Sequence, residues 1–142
     1  MGRVLGLDYG ERRIGVAISD PSRTIAQPLP TIRRRRGRRP PYAKIMETIV
    51  EWDVQRIVVG LPIEMSGAEE ASAEAARRFG EGLGRRAGLP VEYWDERLSS
   101  VRAQRELSQL ELPAAVRREK ERVDAMAATL ILQSYLDAQR ES

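Results

Sequence analysis

Between two segments with helical spacing lies Arg56-Ile57-Val58-Val59-Gly60, too short for a helix and apolar on both faces. A strand of that kind belongs in the middle of a parallel sheet covered above and below, and the surrounding sequence supplies the other layers. Residues 3–9 and 13–19 are apolar, strand-forming segments joined by Gly10-Glu11-Arg12, a hairpin signature, and Asp20-Pro21-Ser22 ends the second. A third strand falls within Thr24 to Ile32, where Pro28 and Pro30 restrict it to a sheet edge. Helical spacing begins near Tyr42 with Ile45, Ile49 and Trp52, and an alanine-rich helix covers about residues 68–86. Gly88-Leu89-Pro90 stops that helix, and Val91 to Asp95 reads as the last strand. Residues 98–109 have helical spacing, and the charged stretch Arg117 to Arg122 leads into a final helix ending near Gln139. The expected fold is α/β: a five-stranded mixed sheet with helices on both faces. Its first three strands are antiparallel neighbours and its first, fourth and fifth parallel. Residues 1–142 read as a single domain.

Three acids stand at the edges of these core elements. Asp8 closes Val4-Leu5-Gly6-Leu7-Asp8 and shares a strand face with Val4 and Gly6. Glu96 follows the last strand, with Asp95 beside it as a cap for the helix after Arg97. Asp124 shares a helix face with Ala127, Ala128, Ile131 and Tyr135, which predicts that it starts the helix over the strand ends. Each has an ordinary reading alone: a turn residue for Asp8, a solvated acid for Glu96, a first-turn acid favoured by the helix dipole for Asp124. Ligands of open α/β sheets gather at the carboxyl ends of the strands, and three acids directed there outweigh their separate explanations. Together without a cation they would repel one another; Mg²⁺ or Mn²⁺, which prefers oxygen ligands, removes that penalty. Asp8, Glu96 and Asp124 are therefore the candidate catalytic and metal-holding residues, suited to activating water for attack at phosphorus.

Absent residue types exclude other chemistries. Without histidine or cysteine there is no Ser-His-Asp triad, Cys-His pair, or thiolate or imidazole zinc site. No apolar stretch approaches the roughly 20 residues that span a bilayer, and no secretory leader is evident, so a cytoplasmic protein with no membrane partner is expected. The charge is local. Arg33, Arg34, Arg35, Arg36, Arg38 and Arg39 flank Gly37, and without them the formal charge passes from +3 to −3, 18 basic residues against 21 acidic. Such a cluster is the electrostatic footprint of a polyanion partner, against the plainer reading of a solvated loop. Arg97 and Lys120 flank the acids as further candidate phosphate contacts, and the loop holding Ser66 and Gly67 could present backbone amides to a phosphate. Trp52 and Trp94 read as core packing rather than base-stacking platforms.

The segments Gly6-Leu7-Asp8-Tyr9-Gly10, Arg13-Ile14-Gly15-Val16-Ala17 and Ser19-Asp20 resemble the opening of the YqgF/RuvX family. Val58-Val59-Gly60-Leu61-Pro62 with Ser66-Gly67, Asp95-Glu96-Arg97-Leu98-Ser99, and Lys120 with Val123-Asp124, Ala127-Ala128, Ile131-Leu132 and Tyr135-Leu136 continue the resemblance in order. It implies an RNase H-like fold and a nuclease that matures the 5′ end of pre-16S rRNA, with kinship to a Holliday junction resolvase. Asp8, Glu96 and Asp124 fall on the family's acidic positions. Glu11 departs from the pattern by adding charge beside the site, and the arginine run lies where the family varies.

The expected function is metal-dependent hydrolysis of phosphodiester bonds in structured RNA, pre-16S rRNA, during ribosome biogenesis. Resolution of branched four-way DNA is the alternative within the same chemistry, and a non-catalytic RNA-binding module with an RNase H-like core is the alternative outside it. Asp-x-Gly at a hairpin also resembles the phosphate loop of the actin and sugar-kinase ATPases, but those need a second domain. Symmetric resolution requires a two-fold dimer with a substantial interface. The helices at 68–86 and 98–109 carry charged outward faces, so a monomer or weak dimer is expected.

Overall fold

The computed structural model describes residues 2–35, 37–62, 67–101 and 117–141. Its strands are β1 (Arg3–Tyr9), β2 (Arg13–Ser19), β3 (Ala26–Arg33), β4 (Val54–Leu61) and β5 (Val91–Asp95). The α-helices are α1 (Tyr42–Glu51), α2 (Gly67–Ala87) and α3 (Arg117–Glu141), and a 3₁₀ turn over Glu96–Leu98 follows β5. The sheet order is β3-β2-β1-β4-β5; β1–β2 and β2–β3 pair antiparallel, and β1–β4 and β4–β5 parallel. This is the expected mixed sheet. β4 runs from Val54, earlier than its apolar centre, because Arg3↔Val54 already pairs across to β1. β3 extends to Arg33, which pairs with Arg13. Pro28 and Pro30 lie on this edge strand, where a missing N–H costs no ladder bond on the outer side.

Strict alternation divides the core in two. Leu5, Leu7, Ile14, Val16, Ile18, Ile57, Val59 and Leu61 face α1 and α2, meeting Ile45, Ile49, Phe79 and Leu83. Val4, Ala17 and Val58 face α3, where they meet Ala127, Ala128, Ile131, Leu132, Tyr135 and Leu136. Trp52 packs on the first layer and Trp94 on the second, both as core residues. The ring of Trp94 stands edge-on to Tyr135 at 5.5 Å and its Nε1 donates to Ser134 Oγ at 2.9 Å.

Small residues bring α3 close to the sheet. A β-carbon on Gly6 would lie 2.8 Å from Leu132 Cβ, and one on Gly60 2.5 Å from Ile131 Cδ1. At Gly15 a β-carbon would overlap the carbonyl oxygen of Asp124. One glycine from each of the three central strands thus forms a trough for the helix.

Three sequence expectations are corrected. α3 begins at Arg117, so Asp124 is its eighth residue rather than part of its first turn. The charged stretch 117–122 continues the helix, and the apolar periodicity that marks a helix from sequence begins only after it. Gly67 opens α2 rather than lying in the preceding loop. Trp52 caps α1 after Glu51 instead of continuing it. The expected helix at 98–109 falls mostly outside the described residues.

Candidate active site at the carboxyl end of the sheet

The β1–β2 turn, the end of β3 and the ends of β4 and β5 all lie at one end of the sheet, as the pairing directions require. Asp8 is half-buried there, register-paired with Gly15 and on the α3 face of β1. The absence of a side chain on Gly15 lets the main chain of Asp124 rest against this position. The main chain of Asp124 thus packs on the strand position opposite Asp8.

Glu96 stands after β5, two strands from Asp8 in the sheet order, with 5% exposure. A carboxylate that deeply placed is costly unless cations or hydrogen bonds meet it. Its carbonyl accepts from Ser99 N and Ser99 Oγ, which closes the 3₁₀ turn. Asp95 has a different task. It caps the turn by accepting from Arg97 N at 2.9 Å, and the Arg97 guanidinium lies forked across both its oxygens. The Arg97 side-chain bonds hold the Asp95 carboxyl below its ordinary range. In this arrangement Arg97 is engaged by Asp95.

Asp124 is 22% exposed and pairs with Arg13, Nε to Oδ2 at 2.5 Å. Arg13 and Arg33 are register partners on β2 and β3. Arg33 reaches Glu121, Nη2 to Oε1 at 2.7 Å, and Thr31 Oγ1 donates to the Glu121 carbonyl. Two arginine–carboxylate pairs therefore join the 121–124 segment of α3 to β2 and β3 over the strand ends. Among the described residues, no three carboxylates stand close enough as placed to hold a cation. The donor chemistry nevertheless suits a hard divalent ion: carboxylate oxygens only, at one end of the sheet, with Asp8 beside the seat of Asp124.

The arginine run is not uniform. Arg34 is half-buried: its guanidinium lies over the Tyr9 ring at 4.6 Å and donates to Gly10 O and Arg38 O. Its backbone N–H donates to Arg12 O at 2.8 Å. Burial pushes the Tyr9 phenol up. Tyr9 stacks on Phe79 at 4.3 Å, Phe79 faces Tyr42 at 5.9 Å, and Arg86 covers Tyr42 at 3.9 Å. Arg34 is thus the end of a column that crosses from the arginine loop to α2. Arg35, Arg38 and Arg39 are exposed. The loop is stitched to the turn that follows Asp8, at the same end of the sheet as the acids. Arg36, Ser66 and the side chain of Lys120 lie outside the described residues.

Sequence reasoning overlooked Arg13 as an interacting group. Its signal was available in the hairpin: once Asp8 is opposite Gly15, Arg13 must share the Asp8 face. The close seating at Gly15 had no such signal, since it depends on where α3 crosses the sheet.

The family described as "RuvX: Holliday junction resolvase" matches residues 2–138. A protein of Caldanaerobacter subterraneus named "Putative pre-16S rRNA nuclease" is 45% identical over 99% of this chain and 99% of its own length. One of Chloroflexus aggregans with the same name is 48% identical over 96% of this chain and 94% of its own. Among solved structures, T. thermophilus RuvC in complex with a Holliday junction substrate superposes with a TM-score of 0.62 at 17% identity, covering 99% of this chain and 96% of that one. Fowlpox virus resolvase with Holliday junction DNA gives 0.56 at 8% identity, covering 96% and 98%. Those likenesses show an RNase H-like fold. With a match that spans nearly its whole length and relatives at 43–48% identity, the chain belongs to the RuvX family.

Proposed function

We propose that this protein is a metal-dependent endonuclease that processes the 5′ end of pre-16S rRNA in the cytoplasm. The observation that carries the reading is the convergence at one end of the sheet. Asp8 lies beside the seat of Asp124, Glu96 is buried after β5, and the arginine loop is joined to the turn after Asp8. In this reading Asp8, Glu96 and Asp124 hold Mg²⁺ or Mn²⁺. When bound, the ion supplies activated water and neutralises charge that develops on the phosphate. The chain's own residues do the rest. Exposed Arg35, Arg38 and Arg39, with Arg36 beside them in sequence, bind phosphates and hold the strand across the acids. Arg34 contributes by fixing the loop, and Arg97 by fixing Asp95. The names of the relatives favour RNA over branched DNA as substrate.

The test is cleavage of a 5′-extended 16S precursor and of a four-way DNA junction with Mn²⁺, by wild type and Asp8→Asn. The substitution keeps side-chain size but removes a hard anionic ligand. Precursor cleavage is expected to fall by about 10²–10³-fold, the factor that loss of several kcal/mol of charge stabilisation implies. Undiminished turnover in Asp8→Asn would remove this residue from the mechanism. Paired symmetric cuts in the junction with the precursor left intact would reassign the substrate.

A further inference from the structure

We propose that Arg13 is an internal counter-ion that holds Asp124 until a divalent cation takes the carboxylate from it. The inference rests on reading Asp8, Glu96 and Asp124 as the metal site. Its basis is geometric: Arg13 Nε stands 2.5 Å from Asp124 Oδ2, on the sheet face that Asp8 occupies, while Gly15 holds the Asp124 backbone in place. Carboxylates gathered at one end of a sheet without a cation repel each other, and a guanidinium on the strand next to Asp8 is a fixed positive charge that relieves this for Asp124. A cation entering the site offers Asp124 the same relief at shorter range. Arg13 and the cation therefore compete for one carboxylate.

The helix does not depend on this pair for its position. Ile131, Leu132, Tyr135 and Leu136 are almost wholly buried against the sheet, and Gly6, Gly15 and Gly60 set how closely the helix sits. A pair exposed by 27% and 22% is a minor contributor beside that apolar contact. Exchanging the arginine's partner thus leaves α3 seated.

Competition and support make opposite predictions for one measurement. If Arg13 oriented Asp124 as a ligand, its removal would weaken metal binding about 10–100-fold. As a competitor, its removal strengthens binding. Mn²⁺ binding to the purified full chain is followed by loss of the free-ion electron paramagnetic resonance signal, for wild type, Arg13→Gln, Arg13→Lys and Asp8→Asn. Arg13→Gln is expected to bind about fivefold tighter than wild type, the factor for an ion pair of about 1 kcal/mol. Arg13→Lys, which keeps the charge but not the planar fork, falls between them and serves if the glutamine variant does not fold. Loss of binding in Asp8→Asn ties the counted ion to the acids. Equal or weaker binding by both Arg13 variants, with wild type binding normally, overturns the competition and leaves the metal site standing. Absence of Mn²⁺ binding from wild type and both Arg13 variants removes the metal site and the competition with it.

Discussion

Asp20 is a carboxylate whose work is local. Its Oδ1 accepts from Thr24 N and Ile25 N, both at 2.8 Å, and its Oδ2 accepts from Ser22 Oγ, so it closes the turn between β2 and β3. Arg23, within that turn, takes a left-handed φ of 59° that the bonded loop must hold. The hydrogen bond from Ile25 N, then those from Ser22 and Thr24, hold the Asp20 carboxyl well below its ordinary value of 3.8. The direction sets the sign of its effect. A pKa lower in the folded protein means stability that is present above the unfolded value and lost as pH falls through the folded one. Asp20→Asn is therefore expected to melt at lower temperature than wild type at about pH 7, with the difference shrinking once pH drops below about 4. Thermal unfolding across that range checks it; a gap that is constant with pH would separate Asp20 from the titration. Glu96 presents the opposite case, a carboxylate placed in the interior at 5% exposure. That contrast between local and misplaced acid was legible in sequence for Asp8 and Asp124 through the apolar residues on their faces. For Glu96 it was not, because a strand end next to a 3₁₀ turn has no periodicity to show which way a side chain goes.

The arginine loop shows how one element can contain two kinds of the same residue. From sequence the six arginines are equivalent, and only the pairing of β3 with β2 and of β2 with β1 brings the loop back over Tyr9. Planarity then distinguishes Arg34, whose guanidinium lies on a ring face while its nitrogens reach two carbonyls. Replacing Arg35, Arg38 or Arg39 with alanine is expected to lower the slope of log affinity against log salt for RNA by about 0.7–0.9 for each phosphate left without its arginine, at little cost in stability. Arg34→Ala is expected to weaken binding while leaving that slope nearly unchanged, because it removes a brace and not a phosphate ligand. Fluorescence anisotropy titrations at several salt concentrations separate the two; a slope reduced equally by Arg34→Ala would place it among the arginines that bind phosphate directly. The helices are legible to a similar, partial degree. The face of α3 is visible in Ala127, Ala128, Ile131 and Tyr135, whereas its first two turns, all charged or polar up to Val123, offer no apolar stripe to mark them.

At the scale of the molecule, the separation between sheet and helix layer is itself a functional dimension. The strand order and both helix-covered faces followed from the sequence because a hairpin followed by strands alternating with helices, with Ile57-Val58-Val59 apolar on both faces, points to parallel crossovers beside antiparallel edges. The distance at which α3 rests on that sheet did not, since it depends on three glycines meeting one helix. Gly15→Ala places a methyl group against the Asp124 carbonyl, a backbone atom that cannot rotate away. It is expected to cost about 1–3 kcal/mol of stability, the range for overpacking, and to lower cleavage by displacing Asp124 from Asp8. Denaturant unfolding with steady-state cleavage checks both; a variant of unchanged stability and activity would show that α3 can shift at Asp124 without consequence. The two-layer arrangement also divides the protein optically. Trp52 belongs to the α1–α2 side, under the Arg3 guanidinium, and Trp94 to the α3 side, two residues before Glu96. Each layer therefore carries its own fluorophore, so a variant keeping only Trp94 reports on the face that holds Asp8 and Asp124, and one keeping only Trp52 reports on the opposite face.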